Sequence, residues 1–99
     1  MSKAAIQRSN GGFTISGELT FATVTALLEQ SRALFSQADE AVEVDLGAVE
    51  RVDSAGLALL IEWLRLAREK GVDIRFSHLP QQMKAIAAAS DLDSILPLA

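Results

Sequence analysis

Residues 51–60, which read Arg-Val-Asp-Ser-Ala-Gly-Leu-Ala-Leu-Leu, decide the fold because they join a predicted strand to the second predicted helix. Asp53 and Ser54 stand immediately before the helical pattern, and both residue types are favoured as helix caps. A helix start also concentrates unpaired backbone N–H groups, which would stabilise a phosphoryl group on Ser54. Ser54 is therefore either a structural cap or a contact or switch residue, and these residues alone favour the cap.

Hydrophobic periodicity predicts the element order β-β-α-β-α-β-α around this stretch. The predicted strands are residues 4–9, 12–16, 41–46 and 72–77. The predicted helices are residues 21–36 with Thr20 as the cap, residues 55–70 ended by Gly71, and a third helix opened by Pro80. Asn10-Gly11 indicates a hairpin between the first two strands. Because strands and helices then alternate, we expect an α/β fold with right-handed parallel crossovers and a four-stranded mixed sheet covered by helices.

The composition is that of one small folded domain. The chain has 99 residues, of which 49% are hydrophobic and 22% are charged, and its net charge is -4. Its basic residues are scattered, so no basic patch indicates a nucleic acid or an anionic membrane as a partner. The sequence contains no cysteine and no segment typical of a secretory signal or a membrane span. We therefore expect a soluble cytoplasmic domain that acts at a membrane only through another protein.

No motif in the sequence supports catalysis. The single histidine, His78, follows a predicted strand and is typical of a solvated loop. The nucleophile-elbow, Ser-x-x-Lys and phosphate-loop patterns are all absent. Glu43 and Asp45 alternate along a predicted strand, which is typical of a polar face. We expect a non-enzymatic protein that has neither a cofactor nor a metal site.

The second predicted helix carries two apolar stripes. The first is suited to covering the sheet and comprises Leu57, Leu60, Ile61, Leu64 and Ala67. Leu59, Trp63 and Leu66 form a second stripe, which the helical repeat places nearly opposite the first. Because a helix packed on one sheet should be polar outside, this stripe predicts a docking surface for a partner protein, with Trp63 as its anchor. The alternative is that the third helix or the tail covers the stripe.

Two motifs resemble the STAS domain family, which anti-sigma-factor antagonists and sulfate transporters share. Gly17-Glu18-Leu19 resembles the Gly-Glu-Leu-Asp element that precedes the first helix in that family. Val44-Asp45-Leu46, followed by residues 52–60, resembles the family's strand–loop–helix signature. Together with the element order, the resemblance covers nearly the whole chain and implies a single STAS domain over residues 1–99.

Within that family, the chain is most similar to the small STAS subunits of phospholipid-transport ABC transporters in Gram-negative bacteria. The resemblance implies that the chain binds the ATPase subunit of such a transporter, in a complex with a permease. It implies a peripheral position on the inner membrane and a part in maintaining outer-membrane lipid asymmetry. The resemblance places Ser54 at the ATPase contact. With the second stripe, the predicted contact residues are Arg51, Asp53 and Ser54 of the loop and Leu59, Trp63 and Leu66 of the second helix.

The alternative is an anti-sigma-factor antagonist that is switched by phosphorylation. In that branch of the family, the residue that corresponds to Ser54 is the phosphorylation site. Two departures favour a constitutive contact role instead. Thr20 stands where the family has an Asp beside the phosphoacceptor, and Ala55 stands where the antagonists have a second small hydroxyl residue.

Overall fold

The computed structural model describes residues 4–9, 11–36 and 40–99. Its elements are β1 (Ala4–Ser9), β2 (Gly12–Leu19), α1 (Val24–Ser36), β3 (Ala41–Val52), α2 (Ser54–Glu69), β4 (Asp73–Ser77), α3 (Gln81–Ala89) and a short 3₁₀ helix (Asp93–Ile95). The predicted order β-β-α-β-α-β-α is confirmed.

The four strands form one mixed sheet in the order β1-β2-β3-β4. Strand β1 is antiparallel to β2, whereas the β2–β3 and β3–β4 pairs are parallel. Strand β3 extends to Val52, beyond the predicted end at residue 46, because β2 pairs with it along its whole length from Gly12 to Leu19. The strict alternation of buried and exposed residues stops after Leu46, so periodicity predicted only the first half of this strand.

One face of the sheet carries the core. The side chains of Phe13, Ile15, Val44 and Phe76 are buried there, in a single cluster with the apolar residues of all three helices. Thr14, between Phe13 and Ile15 in β2, belongs to the other face, which bears small and polar side chains. The protein is therefore a two-layer α/β domain with its described helices on one side of the sheet.

The second apolar stripe of α2 lies inside the protein. Leu59, Trp63 and Leu66 are only 4%, 1% and 5% exposed, so the prediction of an outward stripe is wrong. The Trp63 indole N–H donates a 2.7 Å hydrogen bond to Ser31 Oγ, and the indole ring centre lies 6.5 Å from that of Phe35. Both residues belong to α1. Helix α2 lies between α1 and α3, and its two stripes are only roughly 130° apart around the helix axis, so both are covered.

The predicted turns agree with the backbone where the structure describes it. Gly71, which directly follows the cap of α2, has a φ of 71°, the left-handed conformation predicted there. Gly11 has a φ of 78°, whereas Asn10 lies outside the described residues. Pro80 is the N-cap of α3, one residue before the first helical position at which it was predicted, and its side chain makes no cap hydrogen bond.

The C-terminal tail covers the outer edge of β4. The Phe76 N–H donates to the Pro97 carbonyl at 2.8 Å, and the Ala99 N–H donates to the Phe76 carbonyl at 2.9 Å. These two bonds make a short parallel bridge between Phe76 and Leu98. One edge of the sheet is thus paired by the chain itself.

Candidate functional site

The Asp53 carboxylate ties together the two chain segments that build the site. Its Oδ1 accepts hydrogen bonds from the backbone N–H groups of Ala55 at 2.8 Å and Gly56 at 3.4 Å, which confirms Asp53 as the N-cap of α2. Its Oδ2 accepts a third bond, of 3.1 Å, from the backbone N–H of Phe21. The start of α2 is therefore fixed to the turn that precedes α1.

The first turn of α2 packs directly on the end of β2. The Asp53 N–H donates to the Leu19 carbonyl at 3.1 Å. A Cβ atom at Gly56 would lie only 2.5 Å from that same carbonyl oxygen, which belongs to the backbone and cannot rotate away. Gly56 is thus required for the close approach that brings the loop before α2 against the segment after β2.

The turn before α1 differs from the predicted helix start. Helix α1 begins at Val24 and not at residue 21, and the Thr20 hydroxyl does not cap it, because that oxygen makes no hydrogen bond to the described residues. The Thr23 hydroxyl organises the turn by donating to the Glu18 carbonyl at 2.7 Å and accepting from the Thr20 N–H at 3.1 Å. Phe21 therefore stands ahead of the helix, where its side chain is 78% exposed.

An open groove lies between the N-terminal halves of α1 and α2, beside this turn. Its volume is about 530 Å³, and it is lined by Phe21, Val24, Thr25, Leu28, Ser54, Ala55, Ala58, Leu59 and Glu62. Most of these side chains are apolar. Ser54 stands at the start of the α2 wall, and Ala58 and Glu62 follow at successive helical turns. The groove is therefore an apolar depression with a hydroxyl at one end and a carboxylate at the other.

The charge at the far end of the groove is held by an ion-pair network on α2. Arg65 contacts Glu62 and Glu69, with both nitrogen-to-oxygen distances at 2.7 Å. The hydrogen bond from Arg65 lowers the pKa of Glu62, and the charge of Arg32 on α1 acts in the same direction. Glu62 therefore stays ionised at neutral pH, and its Arg65 partner is exposed to solvent.

The predicted contact residues divide into two groups in the structure. Arg51 and Ser54 are exposed and Asp53 is half-buried, all in or beside the loop before α2. The three predicted residues of the second stripe lie in the interior, although Leu59 also lines the floor of the groove. The interior placement of Trp63 removes the predicted anchor from the surface.

Sequence reasoning missed four apolar residues that line the groove: Phe21 at its exposed tip, Val24 and Leu28 on the α1 wall, and Ala58 on the α2 wall. Phe21 fits the helical spacing of the residues after it, so the pattern placed it on the buried face of a longer helix. The Gly-Glu-Leu-Thr sequence before it gives the one available signal, because Thr20 and Thr23 together are suited to a tight turn.

A second polar contact joins Asp45, within β3, to His78, which directly follows β4. The His78 Nδ1 atom is 3.0 Å from Asp45 Oδ1, and the histidine is exposed, as predicted for a loop residue. The backbone N–H of Gly47 donates to Asp45 Oδ1 at 2.8 Å and is the main cause of the lowered pKa of that carboxyl. In the part of the chain that the structure describes, no cluster of three or more His, Cys, Asp or Glu residues could hold a metal ion.

A four-stranded mixed sheet, helices on one face and a serine at the start of the helix after β3 together define a STAS-type domain. The chain belongs to the family described as "Mlab, STAS domain", whose sequence profile matches residues 2–97. The resemblance stated from the sequence motifs is thereby confirmed. A comparison with curated protein sequences finds no match.

Solved structures show the same fold. The anti-sigma factor antagonist SpoIIAA in its unphosphorylated form aligns with a TM-score of 0.72 at 17% identity, over 98% of this chain and 88% of that one. An anti-sigma factor antagonist from Mycobacterium paratuberculosis aligns at 0.74 and 22%, over 99% and 85% of the two chains. A sulfate transporter family protein from Wolinella succinogenes aligns at 0.67 and 14%, over 84% and 67%.

STAS domains are generally regulatory or interaction domains. At the identities of these solved structures, the likeness establishes the fold and not a shared partner. Within the described ranges 4–9, 11–36 and 40–99, no helix is both long enough and apolar enough to cross a bilayer.

Proposed function

We propose that this chain is the non-catalytic STAS subunit of a phospholipid-transport ABC transporter, and that it binds the MlaF-like ATPase subunit through the groove between α1 and α2. The observation that carries the proposal is the exposed Phe21 side chain beside Ser54, which is also exposed. The family to which the chain belongs supports this assignment, because its description names Mlab.

The groove has the properties of a protein-binding surface. The Phe21 side chain is 78% exposed, so most of its apolar surface is still in contact with water in the free domain. A partner that covered this surface would gain the free energy of its burial. The Asp53 carboxylate fixes the backbone that carries Phe21, so little conformational freedom is lost when a partner binds. The half-buried side chains of Val24 and Leu28 extend the apolar surface along α1.

The proposed mechanism is that of a clamp. A rigid domain that binds one conformation of the ATPase more tightly than the others raises the population of that conformation. Binding by this chain would then favour the assembled, active form of the transporter. In this scheme the chain is cytoplasmic and reaches the inner membrane only through its complex with the ATPase and permease, where transport helps maintain outer-membrane lipid asymmetry.

A second candidate function is that of an anti-sigma-factor antagonist switched by phosphorylation of Ser54. The observation that favours it is the exposure of Ser54 at the start of a 16-residue helix, where a kinase could reach the hydroxyl. A phosphate there would place negative charge next to Asp53 and at the rim of an apolar groove. Repulsion and desolvation would both weaken docking.

The proposal is tested by measuring the affinity of purified chain for the ATPase subunit in its complex with the permease. Phe21→Ser should weaken binding by at least about 30-fold, the effect of removing an anchor. Ile95→Ser is the matched control, because Ile95 is also an exposed apolar residue, at 41%, but lies outside the groove. Equal binding by wild type and Phe21→Ser would overturn the assignment of the groove.

Substitutions at Ser54 test its place in the contact. Ser54→Asp should weaken ATPase binding far more than Ser54→Thr, which keeps a hydroxyl. Equal binding by the two variants would put Ser54 outside the contact.

Affinity capture from lysate distinguishes the two functions, since recovery of an anti-sigma kinase without an ABC ATPase would support the antagonist instead.

A further inference from the structure

The two edges of the sheet differ in their backbone hydrogen bonding. The outer edge of β4 is paired by the tail through the two backbone hydrogen bonds of Phe76. Strand β1 forms the other edge, and in the described part of the chain its one partner strand is β2. Within residues 4–9, 11–36 and 40–99, no backbone hydrogen bond is made on the outer side of β1. A free strand edge is a template for pairing with another strand.

The hairpin register identifies the backbone groups on this free edge. Ser9 pairs with Gly12 across the connecting turn, and the pairing continues without a bulge to Ala4 and Gly17. In a hairpin closed by such a pair, hydrogen-bonded and non-hydrogen-bonded pairs alternate from the turn outward. The N–H and C=O groups of Ala4, Ile6 and Arg8 therefore point away from β2.

We propose that β1 pairs antiparallel with β1 of a second copy of this chain, around a two-fold axis at Ile6. This register matches the three outward-pointing residues to one another: Ile6 faces its own symmetry mate, and Ala4 faces Arg8. Ile6 is half-buried at the edge of the core and gains cover from the second Ile6. Pairs of β-branched side chains are favourable at such positions.

The edge is complementary to itself in charge as well as in register. On the other face of the strand, the exposed Ala5 lies opposite Gln7 of the second copy. Arg8 is the only charged residue of β1, and it lies opposite Ala4 of the second copy. No two like charges meet directly across the proposed interface, and a small residue faces a long one in each of these pairs. These features favour a second copy as the occupant over an unrelated strand.

Pairing through β1 would end at a dimer. The contact is isologous, since the same surface is used by both copies, and the tail already occupies the opposite edge of the sheet. The dimer carries a continuous eight-stranded sheet, twice the four strands of one copy. A single six-residue strand provides less contact than the roughly 1,200 Å² of a typical stable interface, so we expect weak, concentration-dependent association.

The test uses a pair of charge designs at the exposed positions 5 and 7. The combination of Ala5→Glu and Gln7→Glu places like charges opposite each other twice in the proposed register. The combination of Ala5→Lys and Gln7→Glu places opposite charges there instead and serves as the matched control. Neither design alters a residue that lies in the core or lines the groove with Phe21.

Sedimentation equilibrium from about 1 μM to about 1 mM, with circular dichroism to verify folding, gives the readout. Wild-type chain should shift from 10.6 kDa toward twice that mass. The like-charge design should raise the dissociation constant at least about tenfold, and the opposite-charge design should match or strengthen the wild-type dimer. The proposal is overturned if the wild-type chain stays monomeric at every concentration. That result is expected if the β1 edge pairs with a strand of another protein instead. Equal dimerisation by both designs also overturns it.

Discussion

The two ends of the α1–α2 helix pair have opposite characters. Near the C-terminal half of α1, the helices enclose Trp63 against Ser31 and Phe35. Near their N-termini, the same helices separate and leave Phe21 and Ser54 open to solvent. The closed end contains two large aromatic residues, Trp63 and Phe35, and the open end contains one, Phe21.

The two ends differ in how the aromatic side chain is held. The Trp63 indole N–H is satisfied inside the protein by the Ser31 hydroxyl, which in turn donates to the Leu28 carbonyl at 2.8 Å. Phe21 is held by the bond from its backbone N–H to Asp53, and its ring is 78% exposed. The closed end therefore stabilises the fold, whereas the open end presents a rigid apolar surface that is available to a partner.

The largest effect is expected from Trp63→Ala at the closed end. The substitution empties a fully buried site and leaves the Ser31 hydroxyl without its donor, so the free energy of unfolding should fall by about 3–5 kcal/mol. Urea denaturation followed by circular dichroism measures it. Trp63→Phe is the control, since it keeps most of the packing and should cost clearly less. A loss below about 1 kcal/mol for Trp63→Ala would contradict the closed character of this end.

The secondary structure was predictable because it depends on local patterns. Alternation in residues 41–46 and 72–77 indicated strands, and Gly71 indicated the end of α2. These signals lie within a few neighbouring residues, where backbone preferences and side-chain periodicity act. The mixed sheet then followed from the order of the elements.

The cover of Trp63 was not predictable in the same way. Periodicity shows how many apolar stripes a helix has, but it does not show which other element lies against each one. The residue that completes the indole site, Ser31, is polar and gives no sign of burial in the sequence. An amphipathic pattern with two stripes is equally consistent with a surface helix that binds a partner and with a central helix flanked on both sides.

Predicting the groove required the first residue of α1 to be located correctly, and helix boundaries are the feature that sequence patterns define least well. Phe21 continues the apolar spacing of α1, yet the helix begins only at Val24 because Thr23 closes a turn first. Among the predicted contact residues, Leu59 and Ser54 line the groove, and the loop residues Asp53 and Ser54 lie at the start of α2. Their position follows from helix capping, which is again a local effect.

A smaller effect is expected from Gly56→Ala, which tests the junction that holds the open end in place. The added Cβ would meet the Leu19 carbonyl oxygen at 2.5 Å, so the first turn of α2 must move away from β2. The free energy of unfolding should fall by about 1–3 kcal/mol, as in other cases of overpacking. Thermal or urea denaturation gives the value.

Ser54→Ala is the control for the Gly56 substitution, because Ser54 lies in the same helical turn but is exposed. It should change stability by less than about 0.5 kcal/mol. If Gly56→Ala were as stable as this control, α2 could shift freely on β2, and the site would not be rigid.

The smallest effect on stability is expected from Phe21→Ser at the open end. The ring is 78% exposed, and the bond from the backbone N–H to Asp53 survives the substitution, so the free domain loses almost nothing. The free energy of unfolding, measured by urea denaturation, should change by less than about 0.5 kcal/mol. The control is Phe35→Ser, at a ring only 1% exposed, which should lower the free energy of unfolding several times more. A loss above about 1 kcal/mol for Phe21→Ser would mean that the ring supports the core, and the contrast between the two ends would disappear. An unchanged stability together with weakened ATPase binding would assign the open end to recognition, because only the partner would then depend on the ring.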